Sequence, residues 1–399
     1  AEDEHAQVYL EKGPHRIGRV YKKAMYREYT DSSYTTLAPR PEWLGFLGPI
    51  IRAEVDDMII IHMKNFAFRN FTMHPHGVFY LKNAEGALYP DRTSNEFKKD
   101  DHVPPGGSYT YRWEVKPEYG PTNDDANCMT WIYHSHVDTA KDTSSGLVGP
   151  LITCKKGTLR KSNRKNPEEP FRNDVDQDFF LLFTVMDENI SWYIDDNVKL
   201  CTDPRGVDLS DPDFQESNLM HSINGYMYGN LPGIELCQHR AVAWHLAGLG
   251  NEVDVHSAVF QGNTLLDRGH RVDTMSLFPA TFGTAKMVPK GKGKWLMSCQ
   301  VNDHFLAGMK AMYQVVLCGT KPSSTSKSGI ERHYYLAAEK IPWNYAPTGR
   351  NLINNASLTE PGSASELYFS RDNGKIGGRY MKAKFEEYTD DTFTTTKPT

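Results

Sequence analysis

The sequence sets a thiol, an imidazole and a thioether at even spacing, Cys299, His304 and Met309, in the stretch from Trp295 to Met309. A strand carrying the Cys, followed by a loop returning the His and the Met to the same point, would give three corners of a trigonal copper site with a weak axial thioether. His256, in Glu252-Val253-Asp254-Val255-His256, is the candidate fourth ligand. Alternation along a strand would send Val253 and Val255 to one face and His256 to the other. The competing reading is an ordinary core in which Cys and Met pack as apolar groups.

A second constellation is made of histidines alone. His74-Pro75-His76 and His134-Ser135-His136 are two His-x-His pairs, and residues two apart on a strand project to one face. Four imidazoles on one surface can bind copper or zinc. One such pair would more simply satisfy ordinary hydrogen bonds, whereas two in one stretch carry more weight. The two constellations are also related, because Trp131-Ile132-Tyr133-His134-Ser135 matches Trp295-Leu296-Met297-Ser298-Cys299, and Cys154 and Cys318 follow at equal distance. Ser135 thus takes the place of Cys299, so one type of loop serves two kinds of metal chemistry.

The elements that hold these residues are expected to be strands. Aromatics at 12%, with 31 Gly and 23 Pro, favour many short strands and turns, hence an all-β fold. A chain of 399 residues exceeds one ordinary core and calls for about two to three domains. The internal repeat bounds them: 1–155 and 176–319 are two copies, separated by a charged, Pro-bearing linker at 156–175. A Ser/Lys-rich break at 320–331 precedes a third segment, 332–399. Residues 17–35 recur at 376–394, so the larger repeating unit is a pair of domains and the chain is read as ending inside the next one.

A net charge of −5 with mixed signs leaves no basic footprint for nucleic acid. No apolar run reaches the roughly 18 to 20 residues of a membrane span; Phe179–Val185 reads as a buried strand. The opening Ala-Glu-Asp-Glu-His has no signal-peptide character, so the chain is read as starting after a removed signal or internally. Sequons at Asn70, Asn189 and Asn355, with six Cys available, favour an oxidising, extracellular or secretory compartment.

The phrases Trp43–Ile51, Gly250–His256 and Tyr335–Pro347 resemble the ceruloplasmin and hephaestin family of multicopper ferroxidases, and the resemblance runs through the whole chain. It implies tandem cupredoxin-like Greek-key β-barrels or sandwiches: the first two of six domains and the opening of the third, with the first strand of domain one absent. By resemblance, His256, Cys299, His304 and Met309 form the second-domain type 1 copper site, and the axial Met implies a copper that cycles. His74, His76, His134 and His136 resemble half of a trinuclear copper cluster completed by the sixth domain. Glu216, His221 and Asp303 align with residues that bind iron beside type 1 copper, and Glu252 with an acid lent to the sixth domain's iron site. The carbonyls of Lys82 and Phe97 with Asp100 and Asp101 resemble a calcium site. Cys128–Cys154 and Cys237–Cys318 follow the family's disulfides, leaving Cys201 as a free thiol.

The implied function is ferroxidase: Fe(II) and dioxygen as substrates, the remaining domains of the chain as partners, and an iron exporter or iron carrier as a further one. The protein would be secreted or the ectodomain of an anchored protein. This fragment alone would lack a complete oxygen-reducing site. The rival is a non-catalytic binding scaffold like the A domains of the coagulation cofactors, against which Cys299 and the complete His pairs argue.

Overall fold

Alternation builds the first sheets. In Met58–Lys64 the buried residues are Ile59 and Met63, and the strand pairs antiparallel with Ser108–Glu114, from Met58↔Glu114 to Lys64↔Ser108. The partner strand turns Tyr111 and Trp113 into the same core. A four-stranded sheet accompanies it, ordered Ile51–Glu54, Val148–Cys154, Cys128–His134, His74–Pro75. The computed structural model describes residues 4–160, 171–319 and 329–398. Two compact units divide the chain, Ala1–Lys321 and Pro322–Thr399.

After residue 176 the pattern returns. One sheet runs Glu235–Cys237, Lys310–Val316, Gly293–Cys299, His256–Phe260, Thr274–Leu277. The other places Gln177–Asp187 between Val242–Gly248, which is parallel to it, and Leu219–Ile223. A strand flanked on both edges and covered on both faces can be apolar throughout, and Phe179 to Val185 are all buried. Its core centres on Trp244, fully buried, with Phe179 and Phe260 at ring distances of 5.2 and 4.5 Å. Burying each such ring contributes on the order of 2–3 kcal/mol. The fold is all-β, with a two-sheet arrangement present in each of the two copies.

The hairpin that carries the chemistry is built alike in both copies. Gly77 lies so close to Trp131 that a Cβ there would sit 2.1 Å from the indole, and Gly262 stands 2.5 Å from Trp295 by the same measure. Both have φ near +80°, +77° and +79°, a region that glycine enters without strain. Disulfides join Cys128 to Cys154, directly opposite across their strands, and Cys237 to Cys318; Cys201 and Cys299 are buried thiols.

The stretch read as a solvated linker differs from that expectation at its far end. Its residues 161–170, and 320–328 of the second break, lie outside the described residues. Arg172, however, is 2% exposed and joins a buried polar network between the copies. Its guanidinium donates to Asp174 at 2.8 Å and to His245 Nε2 at 3.2 Å. His245 Nε2 is therefore the acceptor, and its Nδ1–H donates to Thr130 Oγ1 at 2.7 Å. Arg52 adds an ion pair to Asp178 at 3.1 Å. A guanidinium tolerates burial only when paired in this way.

In the second unit, Tyr335–Asn344 pairs along its whole length with Arg379–Tyr388. The repeat counterpart in the first copy, residues 20–28, carries no ladder. Among the described residues no helix is long and apolar enough to cross a membrane.

Candidate metal centres

His256 opens its strand, Cys299 ends Gly293–Cys299, and His304 sits in the short helix Asn302–Leu306 that follows. Met309 lies just before Lys310–Val316. The helix folds back because Met309 N–H bonds the His304 carbonyl at 2.9 Å and Cys299 N–H bonds the Met309 carbonyl at 3.0 Å. All four side chains are buried. His256 Nδ1 and His304 Nδ1 are 3.1 Å apart, and Cys299 Sγ lies 3.9 and 3.5 Å from them.

One residue here was not anticipated. Asp254, fully buried, accepts from His256 Nε2 at 3.1 Å, so Nδ1 is the ring nitrogen that faces the thiol. Asp254 is itself held by the amides of Val185 and Asn251, at 2.6 and 3.0 Å. Burial disfavours a charged His256, yet Asp254 and Cys299 outweigh it and raise its pKa. Burial likewise opposes the Cys299 thiolate, but bonds from His256, His304 and the amides of Ser257 and Val301 bring it down to about 6. A thiolate, two imidazoles with converging nitrogens and a buried thioether are the donor set of a trigonal copper site. The residues fit the metal.

The four first-copy histidines converge as well. His74 stands opposite His134 across their strands, and the ring of His74 lies 5.4, 5.5 and 5.1 Å from those of His76, His134 and His136. His74 Nδ1 bonds the Glu85 carbonyl at 2.7 Å and His134 Nδ1 the Ser135 carbonyl at 2.8 Å, so both present a bare Nε2. His76 Nε2 and His134 Nε2 approach to 3.0 Å. Burial holds His76 down at about 4 and His134 at about 3, and lowers His74 too. Neutral imidazoles with unprotonated nitrogens face to face suit a metal cluster.

Matching hydrogen bonds map one centre onto the other. Thr72 N–H donates to Ser135 Oγ at 3.1 Å as Ser257 N–H does to Cys299 Sγ at 3.4 Å, which sets Phe71 against His256. Ser135 N–H bonds the Leu147 carbonyl, and Leu147 N–H that of Asp142, both at 3.1 Å. Leu147 therefore stands for Met309 and Asp142 for His304. Ser135 Oγ donates to Asp142 Oδ2 at 2.7 Å, so the first copy has a hydrogen bond where the second has the Cys299 thiol and His304.

The remaining predicted residues are brought together less tightly. His221 is buried, its ring 5.4 Å from that of His304, while Glu216 and Asp303 are exposed nearby. Burial, then His304, lower His221 to about 4. Glu252 is exposed in the turn before His256. Among the described residues, the groups with ligand atoms within 4.8 Å of one another are His74, His76, His134 and His256, Cys299, His304.

Asp100 and Asp101 are buried, and each keeps one carboxylate oxygen without a partner. Asp100 also accepts from Gly86 N–H and Asp101 from Lys98 Nζ, both at 2.8 Å. Asp91 ties Lys82 to Lys98 at 2.5 and 2.7 Å, a link the sequence did not suggest. Phe97 is exposed. Of the sequons, Asn70 and Asn355 are exposed, whereas Asn189 spends its amide on Asp187 and on the Gln215 carbonyl, both at 2.9 Å.

A family model described as multicopper oxidase matches residues 44–157. "Ferroxidase HEPHL1" of Homo sapiens is 52% identical over 397 residues, covering 99% of this chain and 34% of that protein. "Hephaestin" of Rattus norvegicus is 51% identical over 392 residues, 98% of this chain and 33% of that protein. "Ceruloplasmin" of Homo sapiens is 48% identical over 396 residues, 99% of this chain and 36% of that protein. The chain spans about a third of the length of these curated relatives. With two converging histidine centres in a tandem β-sandwich frame, the chain matches a multicopper oxidase model over residues 44–157 and is similar along its length to hephaestin and ceruloplasmin.

Proposed function

We propose that this chain is the part of a ferroxidase that takes up Fe(II), oxidises it and passes its electron toward a dioxygen-reducing cluster. The observation that carries the reading is the packing of His221 against His304, ring centroids 5.4 Å apart, which sets an iron-ligand candidate beside a copper-ligand candidate. Bound copper would supply the one-electron step at His256, Cys299, His304 and Met309 and, with the histidines of the sixth domain, the reduction of dioxygen at His74, His76, His134 and His136. The chain's own residues do the rest. Glu216 and Asp303 attract a hard divalent ion, and neutral His221 offers it a nitrogen. Carboxylates then favour the more highly charged product, so oxidation is drawn forward. Asp303 adjoins His304 in the chain, giving the electron a short path.

The same reading assigns Glu252 to an iron site shared with the sixth domain. It places calcium at Asp100 and Asp101, whose unpartnered buried oxygens suit a hard cation, with the Lys82 and Phe97 carbonyls. Two disulfides and the exposed Asn70 and Asn355 support an oxidising, extracellular compartment, with an iron exporter or iron carrier as a partner.

Anaerobic stopped-flow mixing of Fe(II) with the oxidised, copper-loaded chain tests the reading. The thiolate-to-copper band should bleach rapidly, and Glu216→Ala with Asp303→Ala should slow bleaching while leaving the band in place. Equal rates in variant and parent would remove the iron site from this domain.

A further inference from the structure

The iron-site candidates of the second copy are met by a residue from the start of the chain. Tyr9 is the buried residue of helix Glu4–Leu10, 7% exposed, and it sits in the second copy's core cluster. Its phenolic O–H donates to Glu216 Oε1 at 2.6 Å, and its ring meets that of His221 edge-on at 5.6 Å. Glu216 lies in the last turn of the helix Pro212–Ser217 and is otherwise exposed. A carboxylate so placed would sample many rotamers without a partner.

We propose that Tyr9 is a positioning residue of the second-domain iron site: its hydroxyl fixes Glu216 beside His221 with Oε2 left free for the metal. This rests on the reading of Glu216, His221 and Asp303 as that site. Two opposing effects follow from the bond. It draws some electron density from the carboxylate, which weakens a metal bond, and it removes the rotamer freedom that binding would otherwise cost. Because the phenol occupies Oε1 alone, it can stay in place when metal arrives, and the ordering effect prevails.

A second observation comes from the internal repeat. Val8-Tyr9-Leu10 corresponds to Leu367-Tyr368-Phe369 in the register that aligns 17–35 with 376–394, and both tyrosines lie on short helices, Glu4–Leu10 and Glu366–Phe369. Each copy of the longer repeat thus carries a helical tyrosine at this place. A merely space-filling aromatic would not need its hydroxyl; this one spends it on a ligand candidate.

The test titrates Mn(II), a hard divalent ion of stable valence, into the copper-free chain, with excess Ca(II) occupying oxygen sites elsewhere and free Mn(II) followed by EPR. Glu216→Gln with Asp303→Asn should abolish the Mn(II) site. Tyr9→Phe, which keeps the buried ring, should retain the site with affinity about tenfold weaker, the size of one net hydrogen bond. Adding Tyr9→Phe to Glu216→Gln should change nothing further. If Tyr9→Phe binds Mn(II) as tightly as the parent, or more tightly, while the carboxylate pair abolishes the site, the role of Tyr9 is overturned and the iron site stands. If the parent has no Mn(II) site, or the carboxylate pair leaves it intact, the iron site and the role of Tyr9 fall together.

Discussion

Asp254 Oδ1 lies 3.1 Å from His256 Nε2, both groups buried, and two backbone amides hold the carboxylate in turn. That bond selects the imidazole tautomer and aims Nδ1 at Cys299. Asp254→Asn should weaken copper binding about 10- to 100-fold, the usual effect of removing such a partner, with little change in the position of the thiolate band. Competition against a copper chelator measures it.

Met309→Leu should raise the potential of the bound copper, since loss of a soft axial donor destabilises Cu(II) more than Cu(I). Leu147 stands at the matching place in the first copy, so the side chain fits this backbone. A redox titration giving an unchanged or lower potential would count against Met309 as a ligand.

Ser135→Ala should destabilise the chain by about 1–3 kcal/mol, because it strands the buried Thr72 amide and takes a donor from Asp142. Urea unfolding of the copper-free protein reads the loss. Asp142 would still receive the amides of Val137 and Asp138 and the indole of Trp192, so the loop should keep its shape.

Acid should weaken the joint between the copies. Burial holds His245 at about 3 against an ordinary 6.5. Between those values the unfolded chain binds a proton that the folded chain refuses, so stability is full above pH 6.5 and falls as the pH drops toward 3. Asp178 acts in the same direction; Arg52, His245 and Arg172 hold its carboxyl below the ordinary value despite burial. His245→Gln should flatten the pH dependence by up to about 1.4 kcal/mol per pH unit, one proton's worth. Unfolding titrations at several pH values compare the slopes; parallel curves would exclude His245 as a contributor.

The sequence announced the strands and the two centres because both rest on short-range signals. Alternation and His-x-His spacing act within one strand, and the Trp131 and Trp295 phrases exposed Ser135 in the place of Cys299. Asp142 and Leu147 escaped notice since the intervening loop is two residues longer in the first copy, so counting from the Trp misaligns them; backbone hydrogen bonds align them at once. Asp254 sat in plain view two residues before His256, but an Asp on a loop is ordinarily solvated. Nothing local links Tyr9 to Glu216. Arg172 looked like part of a charged linker because its partners, His245 and Asp174, belong to a packing arrangement that composition does not encode.

Tyr9 and Glu216 are 207 residues apart in sequence. The helix Glu4–Leu10 is made before strand Leu219–Ile223 and the helix Asn302–Leu306 that bears Asp303, so its buried face stays uncovered until they have folded. Closure of this pocket by Tyr9 therefore spans 207 residues of chain, a long-range contact whose loop entropy is met only once both elements exist.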